Sequence, residues 1–386
     1  VVVWFRQDLR LEDNPALFEA SKLGLIIPIY IMDDINASQD KMGSASRLWL
    51  YHSLDSLNRS LDGHLKFFCG DAFELLPNIM ENSGARSVFW NRCYEPWRIA
   101  RDARLKRYLI QAGFEVYSTN GSLLWEPWEI SKKDGSAYKV FTPFYKRGCL
   151  GAESPRNPLP VVKNILFSPS DIESNELDEL GLFPKNEWHR SVKTCWNISE
   201  EAASEQLEVF IQNGLTDYME RRNFPAEQGV SRLSPYLHFG QISPHKVWHR
   251  VECEVDRTSK DLNQNIEHFF RELGWREFSY YLLYHSPNLP NRNLQPRFDE
   301  FPWVKVSPHL EAWQRGLTGY PLIDAGMREL WQTGYMHNRV RMVVASFLVK
   351  NLLVHWKCGA DWFWDCLVDA DLASNSASWQ WVAGSG

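Results

Sequence analysis

The sequence contains no run of about eighteen uncharged apolar residues, so no segment is built to cross a membrane as a helix. Cysteine is sparse: seven residues, at 69, 93, 149, 195, 253, 358 and 366, with no C-x-x-C pair. That scatter excludes a disulfide scaffold and a zinc cage of paired thiolates, and it fits free thiols in a reducing compartment. The opening V-V-V-W-F-R-Q-D-L-R lacks the basic region, apolar core and small-residue cleavage site of a secretory signal. Positive charge is also short, with 42 Lys and Arg against 48 Asp and Glu and a net charge of -6. Such a balance excludes a protein that coats nucleic acid indiscriminately, while a local basic face stays open. No H-E-x-x-H, Walker A or G-x-S-x-G pattern occurs, and no G-x-G-x-x-G follows the first strand-like run.

Tryptophan, in contrast, is abundant, with 18 residues in 386, and 44% of the chain is hydrophobic. That content suits two or three domains with cores of their own. So many indoles invite a search for stacking platforms or a redox chain beyond core filling.

The first third alternates two patterns. Residues 1–5, 25–32, 65–69, 87–91 and 114–119 read as buried strands, and 45–61 and 96–112 read as amphipathic helices. This alternation predicts βαβ units around a parallel, Rossmann-like sheet with both faces covered. Prolines at 127, 143, 155, 158, 160, 169 and 184, together with the acidic run 171–180, predict a long surface connection. Beyond about 199 the i, i+3, i+4 pattern takes over, predicting helices over 200–213, 262–285, 321–333 and 336–355. The plan is an α/β domain over 1–128, a linker over 129–198 and an all-helical domain over 199–386.

Three elements could carry chemistry. In R-E-L-G-W-R-E-F, helical spacing puts Glu272, Trp275 and Arg276 on one face, which also suits an ordinary amphipathic helix with a Glu272–Arg276 ion pair. In M-H-N-R-V-R-M, Asn338, Arg341 and Met342 share a stripe. A buried Arg341 needs a carboxylate, and Asp369 and Asp371 are candidates, either in a site or in a structural salt bridge. In G-V-S-R-L-S-P-Y-L-H-F-G, hydroxyls and a basic side chain lead into a turn and a helix start. That arrangement can hold phosphate oxygens or simply cap a helix.

Taken in order, W-F-R-Q-D-L-R-L-E-D-N, S-R-L-S-P-Y-L, R-E-L-G-W-R-E-F, M-H-N-R-V-R-M and D-A-D-L-A-S-N-S-A-S-W-Q-W (369–381) resemble the photolyase/cryptochrome family of blue-light flavoproteins over the whole chain. The resemblance implies FAD folded within the helical domain. Tyr218 and Val230, Ser231, Arg232, Leu233 and Ser234 would hold its phosphates and ribityl chain. Asp369, Ala370 and Asp371 would line the ring side, with Arg341 paired to Asp369. Asn375 would face the flavin N5, where an amide both donates and accepts. Aspartate at that position goes with signalling members, and asparagine favours repair.

The family's tryptophan row maps onto Trp379, Trp356 and Trp303, from the cofactor outward. The implied substrate is a cyclobutane pyrimidine dimer flipped from DNA, stacked on Trp275 and Trp381 and bonded by Glu272 and Asn338. Met342 would stand alongside, and Arg222 and Arg339 would contact phosphates. Light-excited reduced FAD would lend the dimer an electron and recover it, with no hydrolytic nucleophile and no metal. Members that repair (6-4) photoproducts carry histidines at the positions of Asn338 and Met342, so this chain resembles the cyclobutane-dimer enzymes.

A second chromophore, methenyltetrahydrofolate or a deazaflavin, is implied near residues 91–102. There the acidic residue that clamps folate in some members is replaced, and Trp97 and Arg98 stand nearby. The alternative is a cryptochrome photoreceptor with FAD and little repair; a scaffold without flavin stands further behind. A monomer in the cytoplasm, nucleoid-associated in a bacterium, is expected. Because the family continues for several dozen residues past W-V-A-G-S-G, the chain is expected to be truncated C-terminally.

Overall fold

The computed structural model describes residues 1–169, 172–256, 258–304 and 308–385; Asp171, the start of the acidic run, lies outside them. Strands β1 (Val2–Phe5), β2 (Ile27–Met32), β3 (Lys66–Cys69), β4 (Ser87–Asn91) and β5 (Glu115–Thr119) form a parallel sheet ordered β3-β2-β1-β4-β5. All five coincide with the strand-like runs of the sequence to within two residues. Strand β1 is central, with Val2 opposite Ile27 on one side and Val88 on the other. Its alternate residues face opposite ways and both sets are buried. Val3 and Phe5 enter one core cluster, and Val2 and Trp4 another. A strand covered on both faces must be apolar throughout, as V-V-W-F is.

Helices α1 (Pro15–Ser21), α2 (Ser44–Ser60), α3 (Ala72–Ser83) and α4 (Pro96–Gln111) accompany these strands. The connection from 120 to 198 runs partly over the surface, as read from its prolines, with 151–169 largely exposed, but its earlier part is anchored in the core. Leu123, Leu124, Trp125, Tyr138, Phe141 and Phe144 are buried in it. Apolar residues spaced between prolines pin this part to the molecule, helical turns form over 141–151, and a short helix follows at His189–Cys195.

The helical part contains α5 (Glu200–Asn213), α6 (Tyr218–Arg221), α7 (Ser234–Phe239), α8 (Pro244–Glu252), α9 (Lys260–His285), α10 (Pro321–Thr333), α11 (Asn338–Ser346), α12 (Trp356–Cys366) and α13 (Leu372–Ala383). The single helix read over 336–355 is corrected here. It ends at Ser346 and passes into a π turn, Phe347–Asn351. Leu353 then takes φ +54°, and Val354 pairs with Val304 as an isolated bridge. A left-handed residue cannot continue an α-helix, so the apolar periodicity outlasts the helix itself.

The two parts interlock through the N-terminal segment after β1. Arg10, 1% exposed, donates to the carbonyls of Glu12 (3.0 Å), Asp13 (2.7 Å from Nη2), Gly121 (2.7 Å) and Gly240 (2.8 Å). Glu200, at the start of α5, accepts from the backbone N–H of Leu11 (2.7 Å) and Glu12 (2.8 Å). Gly240 ends α7 at φ +71°, and a Cβ there would overlap the carbonyl of Gln7 and the Cα of Asp8. Gly240→Ala is therefore expected to lower unfolding free energy in a denaturant titration by more than the ~1–2 kcal/mol of a left-handed backbone alone.

Candidate functional site

The segment between α12 and α13 carries two buried carboxylates. Asp369 Oδ2 accepts from Arg341 Nη2 at 2.8 Å and from Ser234 Oγ at 2.5 Å. Arg341 Nε is fixed in turn by the Met336 carbonyl at 2.7 Å. The predicted Arg341–Asp369 pair is thus present, and Ser234 at the start of α7 joins it. Asp369 Oδ1 is buried with no hydrogen-bond partner among the described residues. An unpaired buried acceptor is costly, so a donor from outside the protein fits there.

Asp371 caps α13, accepting from the backbone N–H of Ser374 at 2.7 Å. The Tyr280 hydroxyl also donates to it, and His238 Nδ1 lies 3.2 Å away. Burial opposes its ionisation, yet the His238 and Tyr280 contacts hold its carboxyl well below the usual range. Burial and the neighbouring Asp371 charge push the Tyr280 phenol well above its ordinary value. Sequence reasoning found neither His238 nor Tyr280. The only signal was their polarity on the apolar faces of α7 and α9.

One turn into α13, Asn375 donates from Nδ2 to the Ala360 carbonyl at 3.0 Å. Its amide oxygen makes no hydrogen bond among the described residues. The G-V-S-R-L-S loop turns sharply at Arg232, φ +52°, whose guanidinium lies 4.3 Å from the Trp196 ring centroid and 5.1 Å from that of Tyr335. The Ser231 carbonyl accepts from Gln206 at 3.0 Å. Leu233, Tyr218 and Ala370 are buried, and Val230 packs partly buried against the core.

The tryptophan row divides by environment. Trp379 is buried against Phe363 (5.1 Å between ring centroids) and Trp313 (6.4 Å). Its indole rests on Gly359, where any Cβ would collide with it. Trp356 lies on the same helix, three residues before that glycine. It is fully buried and donates from Nε1 to Asn293 Oδ1 at 2.9 Å. The His355 ring lies 5.4 Å from that of Trp356 and 5.2 Å from that of the half-buried Trp303, contacts not apparent in the sequence.

Trp275 is 41% exposed and stacks its inner face on Phe141 at 3.8 Å and 9°, with Tyr145 stacked behind at 5.6 Å. Only its outer face is open. Trp381, 58% exposed, shares a groove of about 660 Å³ with Met342, Tyr320, Leu322, Phe347 and Lys350. Trp275, expected to stack on the same dimer as Trp381, is not among that groove's lining residues.

Two contacts differ from the sequence reading. Glu272 is paired with Arg222 (2.6 Å) and not with Arg276. Arg276 turns inward instead, to the Ser122 carbonyl (2.8 Å) and Glu277 (3.1 Å). Glu277 accepts the backbone N–H of Leu124 (3.0 Å) and Trp125 (3.3 Å), which draws Arg276 inward with it. Asn338 is exposed at the start of α11. Arg339 donates to Asn223 Oδ1 at 2.9 Å and contacts the Met342 sulfur at 3.6 Å.

Two family profiles match: "DNA photolyase" over residues 1–163 and "FAD binding domain of DNA photolyase" over 269–386. The chain is 44% identical to a deoxyribodipyrimidine photo-lyase of Agrobacterium fabrum, with all of this chain and 80% of the relative aligned. It is 35% identical to cryptochrome-1 of Arabidopsis thaliana, with 99% of this chain and 57% of the relative aligned. The crystal structure of a bacterial class III photolyase from Agrobacterium tumefaciens superposes with a TM-score of 0.94 at 43% identity, covering all of this chain and 80% of the other. Among the described residues no helix is long and apolar enough to cross a membrane.

Removing one partner of a buried ion pair strands the other charge. Asp369→Ala, which leaves Arg341 unpaired, is expected to cost about 3 kcal/mol of stability by chemical denaturation.

Proposed function

The chain belongs to the DNA photolyase and cryptochrome family, and from that premise we propose that it repairs cyclobutane pyrimidine dimers in DNA under blue light, as a deoxyribodipyrimidine photo-lyase. The observation that carries the reading is Asp369, a buried carboxylate with one free oxygen beside Arg341 and Ser234, inside the span matched by the FAD-binding profile. An acceptor in want of a donor fits the hydroxyls and N–H groups of a flavin nucleotide.

Under this proposal Tyr218, Val230 to Ser234, Arg341, Asp369, Ala370, Asp371 and Asn375 hold FAD. When bound and reduced, the cofactor supplies on excitation the electron that opens the dimer and then receives it back. Asn375 presents an amide oxygen with no partner among the described residues, which suits a position facing N5. Trp379, Trp356 and Trp303 form a row of oxidisable rings leading outward, with His355 between the last two. Trp275 offers one open aromatic face to an extruded base, worth about 1–3 kcal/mol per stacked base. Trp381 and Met342 offer a second apolar surface, and Arg339 and Arg222 supply charge for phosphates. Glu272 and Asn338 address the polar edges of the dimer.

We assign the antenna chromophore, a folate or a deazaflavin, to the face of Trp97 at the start of α4. The adjoining cavity is narrowed by Arg98, which lies over Trp97, and by Arg101, which lies over Trp4 and Trp97. A tricyclic ring would have to displace them, which favours stacking from outside.

Similarity to cryptochrome-1 of Arabidopsis thaliana keeps a second reading, a cryptochrome with little repair. Asn375, Asn338 and Met342 favour repair. The deciding measurement is repair of a dimer-containing oligonucleotide by photoreduced protein, in blue light and in darkness. Light-dependent repair is expected, and full flavin content with no repair would assign the chain to the photoreceptors. Glu272→Ala should lower the repair yield about tenfold, the worth of a hydrogen bond to a charged group, with the flavin-to-protein absorbance ratio unchanged.

A further inference from the structure

The end of α6 grips two helices through consecutive residues. Arg222 Nη1 donates to Glu272 Oε1 on α9 at 2.6 Å, and Asn223 Oδ1 accepts from Arg339 Nε on α11 at 2.9 Å. The Arg222–Glu272 pair is largely screened from water, its side chains 12% and 30% exposed, and the guanidinium lies 5.3 Å from the centroid of the Tyr218 ring. The residue assigned to a phosphate and the residue assigned to a base edge thus neutralise each other when no DNA is present.

Resting on the repair reading, we propose that the Arg222–Glu272 ion pair is a latch that makes damage recognition conditional. A backbone phosphate engages Arg222 only by displacing the carboxylate. The displaced Glu272 is then a partly buried anion close to a phosphate of like charge, which is costly unless a new donor meets it. An extruded dimer brings base N–H groups to that position. Intact DNA, with its bases stacked and paired, brings none. Intact DNA would bear the full cost of opening the latch and so binds with it closed, without the Arg222 contact, whereas damaged DNA recovers that cost. Selectivity on this account comes from an obstacle raised against the wrong ligand as much as from contacts to the right one.

The test measures binding of labelled intact and dimer-containing oligonucleotides by anisotropy across a salt series. Glu272→Gln keeps the side-chain shape and frees Arg222. It is expected to bind intact DNA about tenfold more tightly at low salt, with the slope of log affinity against log salt steeper by about 0.9, one further phosphate contact. The damaged-to-intact affinity ratio should fall in parallel. Arg222→Gln should weaken binding of dimer-containing DNA and flatten its slope by the same amount, with intact DNA little changed. Glu227→Gln is the control, since it removes an equal charge from the exposed Arg221–Glu227 pair nearby (3.0 Å). An equal gain in that control assigns the effect to net charge and overturns the latch. Unchanged slope and ratio in Glu272→Gln, with wild-type preference for damage intact, overturns the latch and leaves the repair reading standing. A wild-type protein that binds neither DNA overturns both.

Discussion

The geometry of the site depends on a guanidinium that no carboxylate holds. Arg10 is out of water, and its N–H groups end on backbone carbonyls from three separated stretches of chain. A buried cation without such contacts would be untenable, so the carbonyls and the cation require each other. One of them belongs to Gly240, the end of α7. The same short helix carries Ser234 and His238, which reach Asp369 and Asp371. A residue ten positions into the chain therefore sets where a pair of acids more than 350 positions later can stand. The missing Cβ of Gly240 lets α7 lie against residues 7 and 8 closely enough for this to work.

The N-terminal sheet was legible because strands covered on both faces must be continuously apolar, and five short runs of that kind stand out. The Arg341–Asp369 pair was legible for a related reason, since a cation on an apolar stripe implies an anion elsewhere. Other parts left no local trace. The helix read across 336–355 breaks where Leu353 adopts a left-handed backbone, a choice set by packing and the bridge to Val304 and invisible to periodicity. The partner of Glu272 was misread because helical spacing favours Arg276. The loop after β5, whose N–H groups at Leu124 and Trp125 donate to Glu277, draws Glu277 and Arg276 inward instead. His238, Tyr280, Phe141 and His355 act through neighbours more than forty residues away or through stacking, and neither leaves a pattern in a single sequence.

The connection between the two parts contributes more than length. Phe141 and Tyr145 back Trp275 with a stack of parallel rings, and Gly274 has no room for a Cβ because the Tyr145 ring lies over it. The strap thereby fixes the plane of an aromatic surface that belongs to α9.

The hydrogen bond from the Trp356 indole to the side-chain oxygen of Asn293 has a consequence for any charge that travels along the buried rings. An amide oxygen is a poor base, so an indole that has lost an electron keeps its proton and remains a cation. Such a hole has no chemical sink at that ring; it can only return the way it came or continue toward Trp303 and water. If charge moves along these rings as proposed, asparagine in place of a carboxylate at position 293 keeps the middle ring a conductor and denies it the part of a trap.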